Sequence, residues 1–113
     1  AAIAIPNLLR ARITANDSAA QATLRTITTA AETYGAANNG AYPTGSDIRW
    51  AVNANPKYLN EDYTTAPKQG YSYTFSGTAS SYSSVATPSN CHVSGNTIYT
   101  ITTGGILTSA ACS

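Results

Sequence analysis

The chain is short of charge. Only 10% of its 113 residues are Asp, Glu, Lys or Arg, against about a quarter in ordinary soluble domains. The net charge is +1 and the cations are scattered, so the basic stripe of a nucleic-acid binder is missing. His92 is the single histidine. It neighbours Cys91 and no C-x-x-C spacing accompanies it, which leaves a poor general base and no zinc motif. No Gly-rich phosphate loop follows a strand. The acids Asp17, Glu32, Asp47, Glu61 and Asp62 have no motif spacing, and the adjacent pair Glu61-Asp62 is weak grounds for calcium. The expectation is a chain without catalytic, cofactor-binding or metal-binding residues, and not an enzyme.

Long apolar runs are also missing. The opening Ala1-Ala2-Ile3-Ala4-Ile5 is far shorter than the ~20 residues that cross a bilayer, and it lacks the basic region of a secretory signal. An uncharged Ala/Ile run that passes one proline and becomes a helix reads as the tail of a longer hydrophobic helix. At 113 residues the chain suits one small domain with one core. It shows no internal repeat and no linker.

From Asn7 to about Asn38 the pattern is that of one helix. Ile13, Ala20, Leu24, Ile27, Ala31 and Tyr34 fall on one stripe at 100° per residue. Asp17 lies at the stripe's edge, which predicts burial only from about Ala20 onward. The opposite face carries Leu8, Ala11, Ala15, Ala19, Ala22, Thr26, Thr29 and Thr33. Nearly all are small, a composition that lets helices approach closely, although alanine is also simply the best helix former on an exposed face. A polar strip including Arg10, Arg25 and Glu32 runs between them. Asn16-Asp17-Ser18 matches a glycosylation sequon but sits mid-helix, where it reads as coincidence.

Asn38-Asn39-Gly40 is a helix stop, with Pro43 soon after. Ser46 to Val52 suits a short helix capped by Ser46 or Asp47. Trp50 and Tyr58-Leu59 read as satellite core residues. Tyr71, Tyr73 and Phe75 alternate, and after Gly77 a second run carries Tyr82 and Val85, giving strand, turn, strand. A third strand spans Gly95 to Thr103, and Ile106-Leu107 a short terminal one. The eight tyrosines fit ordinary sheet faces.

The string A-A-I-A-I-P-N-L-L-R-A-R, followed by an Ala-rich helix and Asn39-Gly40-Ala41-Tyr42-Pro43, resembles the type IV pilin family. The resemblance is specific over Ala1 to Pro43 and looser beyond. It implies an α+β pilin fold: a long N-terminal α-helix packed on a three- to four-stranded antiparallel β-sheet. The expected layout is a single domain, 1–113, with the helix over 1–39, a connecting region over 40–69, and the sheet with a disulfide-closed loop over 70–113. Cys91 and Cys112, near the end of a small exported chain, read as one disulfide, with two free buried thiols as the alternative. The loop they close and Thr87 to Ser94 are expected to form an exposed edge.

The resemblance further implies a structural subunit of a helical filament of identical copies. The filament serves adhesion, twitching motility or DNA uptake, and the partners are a pilus or secretion assembly machinery. The location is the cell surface, with an inner-membrane-anchored pool facing the periplasm before assembly. The expected filament-core packing residues are Ile3, Ile5, Pro6, Leu8, Ala11, Ala15, Ala19 and Ala22. Pro6 removes a helix hydrogen bond and is expected to kink or open the helix there. Arg10 and Arg12 are candidates for inter-subunit ion pairs with acids such as Asp17 or Glu32, or stay solvated. The alternatives are a type II secretion pseudopilin and a minor pilin. The acidic calcium loop of major pseudopilins has no counterpart in 94–113, which contains no Asp or Glu.

Overall fold

The computed structural model describes residues 8–65 and 67–112. The helix start at Asn7, the opening at Pro6 and the packing roles of Ile3, Ile5 and Pro6 lie outside the described residues. The architecture is α+β, with one long helix laid on a four-stranded antiparallel sheet.

Helix α1 runs Leu8–Ala37, 30 residues, or about 45 Å at 1.5 Å per residue. It contains no proline, and its single glycine, Gly35, is two residues from the end. The stop is a Schellman-type closure. Gly40 N–H donates to the Gly35 carbonyl at 2.7 Å, and Asn39 takes the left-handed conformation at φ 58°. Ala20, Leu24, Ile27 and Ala31 are fully buried, as the stripe predicts, and Tyr34 is half-buried. One boundary is corrected: Ile13 is buried too. Asn16 Nδ2 donates to the Ser94 carbonyl at 2.9 Å, which draws the 89–96 loop along the helix front and shields Ile13.

Strands β1 (Tyr71–Gly77), β2 (Tyr82–Pro88), β3 (Thr97–Thr102) and β4 (Ile106–Ala111) form the sheet in the order β1-β2-β3-β4. Each strand pairs antiparallel with its sequence neighbour. Tyr71, Tyr73 and Phe75 alternate inward on β1, Tyr82, Ser84 and Ala86 on β2, and Tyr99 and Ile101 on β3. The register sets Phe75 opposite Ser84 and Tyr73 opposite Ala86. A large ring thus faces a small residue across the ladder, which is how facing positions interdigitate without voids. The buried Ser84 hydroxyl is satisfied by the Thr74 carbonyl at 2.6 Å. Strand β4 is six residues, longer than the short terminal strand expected, because its ladder to β3 runs to Ala111. It is the edge strand opposite β1 and is mostly exposed.

Helix α1 packs across β2 and β3. The connecting region carries α2 (Arg49–Val52), three residues shorter than the expected Ser46–Val52. Its N-cap is Ile48, which makes no side-chain cap. Asp47 Oδ1 instead accepts the Arg49 N–H at 3.1 Å. Trp50 joins α2 to the core, with its ring centroid 5.4 Å from both Tyr34 and Phe75. No helix of the described residues is long and apolar enough to cross a membrane.

Candidate functional site

Two polar pins fasten α1 to the sheet side and leave its outer face open. The front pin is built on the disulfide. Cys91 and Cys112 are bonded, with Cα atoms 5.8 Å apart. The bridge closes more than a loop, since β3 and β4 both lie between its ends and β3 supplies the buried Tyr99 and Ile101. Cys112 N–H donates to the Asn96 carbonyl at 3.0 Å, so the chain end is tied to the segment that meets the helix. There the Tyr71 hydroxyl bonds Asp17 Oδ1 and also lies 2.8 Å from the Thr97 carbonyl. A phenol has one proton to share between these two acceptors. Gly95 makes room for the ring, because a Cβ there would sit 2.5 Å from Tyr71 Oη.

Burial above all, and then the hydrogen bond to Asp17, raises the Tyr71 pKa well above its ordinary 10.0. The folded chain therefore holds this proton at a pH where the unfolded chain has lost it. The contribution is complete below about pH 10 and falls away as the pH rises further. Burial raises Tyr73 and Tyr82 in the same direction. Denaturant melts should show stability level up to about pH 10 and falling steadily above it. In Tyr71→Phe the fall should be shallower from a lower starting stability. An unchanged slope in that variant would assign the alkaline sensitivity to the other tyrosines.

The rear pin is Glu32. Its Oε1 accepts from Tyr42 Oη at 3.2 Å, Tyr82 Oη at 3.4 Å and Gly104 N–H at 3.1 Å. Thr28 Oγ1 bonds the same Tyr82 hydroxyl. The Tyr42 pKa is raised, first by its hydrogen bond to Glu32. Both acids expected to serve inter-subunit ion pairs thus accept hydrogen bonds inside their own chain. Arg10 and Arg12 are exposed. Arg10 and Asp17 share a hollow of about 330 Å³ with Leu9 and His92.

The outer face matches its sequence pattern. Leu8, Ala11, Ala15, Ala22, Thr26, Thr29 and Thr33 are exposed, and Ala19 is half-buried. The threonine hydroxyls donate back to the helix. Thr26 Oγ1 reaches the Ala22 carbonyl at 3.0 Å, Thr29 the Arg25 carbonyl at 2.8 Å, and Thr33 the Thr29 carbonyl at 2.7 Å. With each proton held by the helix, the face presents carbon and acceptor oxygens, with no charge along its central line.

At its C-terminal half this face meets the connecting segment in a groove of about 410 Å³. Ala30, Thr26, Thr29 and Thr33 form the helix side, Tyr58 stands opposite, and Arg25 and Lys57 complete the lining. Tyr58 is held in place: its N–H donates to the Ala51 carbonyl at 2.8 Å, and its ring packs 5.7 Å from Tyr34 and 6.2 Å from Trp50. Tyr58, expected to serve the core alone, also walls this groove, which the sequence does not signal. Lys57 reaches the helix through the tertiary fold, and no spacing in the sequence signals that.

No family model matches the chain, and no curated protein is similar enough to match it.

Proposed function

We propose that this chain is a structural subunit of a type IV pilus-like filament, assembling through α1. One observation carries the reading. The helix docks one face on the sheet and leaves the opposite one small, without charge along its central line and mostly open to solvent from Ala11 through Ala22. At its front Leu8 is 74% and Leu9 50% exposed. Large exposed apolar side chains beside a small-residue face suit burial against another surface. Alanine at that spacing lets helix backbones come close. The sequence resemblance to type IV pilins names that surface as the same helix of neighbouring copies. Under this reading the protein waits in the inner membrane, is taken up by a pilus assembly machinery, and ends on the cell exterior.

The test is immunogold electron microscopy of the source cells with antibody to this chain. Label along micron-length surface fibres is the expected result. Label confined to the cell envelope would favour the secretion pseudopilin instead, and label at fibre tips a minor pilin.

A further inference from the structure

The groove beside α1 has a lining of one charge sign. Arg25 and Lys57 contribute two cations and no acid lines it. The ion pairs among the described residues are Arg49–Asp47 and Lys68–Glu61, so neither groove cation has a salt-bridge partner there. The two acids of α1 do not neutralise them. Asp17 is bonded to Tyr71, and Glu32 to Tyr42, Tyr82 and Gly104. The volume, about 410 Å³, falls within the ~300–1,000 Å³ of small-ligand sites. From Arg25 to Thr33 the groove follows about 12 Å of helix.

The hydrogen-bond inventory narrows the ligand. Arg25 and Lys57 only donate. The hydroxyl protons of Thr26, Thr29 and Thr33 are engaged with helix carbonyls, so their oxygens only accept. The ring of Tyr58 offers a fixed apolar flank. A complementary ligand carries an anionic acceptor for the cations, hydroxyl donors for the threonine oxygens, and a carbon-rich face for the ring. An uronic-acid saccharide combines all three.

The geometry points to a binding groove for carboxylate-bearing saccharides, formed by Arg25, Thr29, Thr33, Lys57 and Tyr58. It stands apart from the assembly reading, which rests on the alanine half of the helix. Ion pairing at an open groove is worth little per contact and is screened by salt, so the affinity is weak and rises as salt is lowered. A polymer that presents many uronates to many subunits gains by multivalency.

The experiment is a titration of the isotope-labelled 113-residue chain with trigalacturonate, followed by amide chemical shifts at low salt. Neutral galactotriose and sodium acetate serve as comparators. Trigalacturonate at millimolar concentration should shift amides over 25–33 and 57–58. Galactotriose should do nothing, and acetate should bind markedly more weakly. Arg25→Gln and Lys57→Gln should each weaken binding roughly threefold. Thr29→Val, which removes an acceptor oxygen, should also weaken it. Melting temperatures should stay unchanged in the two glutamine variants, because both parent side chains are exposed. Equal binding of the neutral trimer, shifts mapping elsewhere, or glutamine variants that bind like the parent would each overturn the site. Acetate binding as tightly as the trimer would reduce it to a charge contact and overturn the saccharide assignment.

Discussion

Under the proposed assembly, replacing Ala22 with leucine should leave the chain folded and abolish filaments. Ala22 is exposed and sits in the middle of α1, so no core contact is lost. Leucine is nearly as good a helix former as alanine. A surface change of this kind moves stability by no more than about 0.5 kcal/mol. Between copies the effect is different. A face whose central side chains are alanines admits a close neighbour, and a leucine there holds the two backbones apart. Because the contact recurs at every subunit, a modest cost per interface is multiplied along the fibre. Ala15→Leu, also exposed, should act alike, whereas Ala22→Ser should assemble. The measurements are a thermal melt of each variant and a count of fibres in cells expressing it. Normal fibres from both leucine variants would show that this face is not the packed one.

Breaking the Cys91–Cys112 bridge should cost about 3 kcal/mol in the chain-entropy account, for a sequence separation of 21. In a domain of this size each kcal/mol moves the melting point by about 4–8 °C. A fall of roughly 10 °C or more is therefore expected under reductant or in the double Cys→Ser variant. The loss should be uneven. Strands β3 and β4 keep their own ladder, and the Glu32 pin does not involve the bridge. What loosens is the 89–96 segment that shields Ile13 and accepts the bond from Asn16. Amide exchange over residues 10–17 should rise while that over 27–35 stays slow. A melting point indifferent to reductant would show that the bridge adds nothing to stability.

The elements themselves were legible because each is a local pattern. The 3.6-residue stripe from Ala20 to Ala31 and the alternation at Tyr71, Tyr73 and Phe75 needed no partner to be read. The stop at Asn39-Gly40 follows from backbone conformation alone. What escaped depends on residues far apart in sequence. Ile13 is covered by a loop some eighty positions away, and Tyr71 finds Asp17 across 54 positions. Glu32 read as part of a polar strip and a candidate for pairing between copies, because nothing near it in sequence reveals Tyr82 or Gly104. The disulfide was legible from composition, but not that it would bracket half of the sheet. The outer face was read as a pattern and found exposed. Its division into an alanine half and a cation-flanked groove required the connecting segment to be in place.

The two pins also decide how the domain bears force. Asp17 and Glu32 are 15 residues apart, about 22 Å along the helix, and each is bonded to the sheet side of the molecule. A pull along the helix axis loads both attachments, and the apolar seam between them, at the same time and in shear. Neither can be peeled open while the other rests. A helix fastened at one end only would unzip contact by contact under a small tension. Fastened at both, it releases as a unit, and tension entering through the helix is passed to the sheet as a whole.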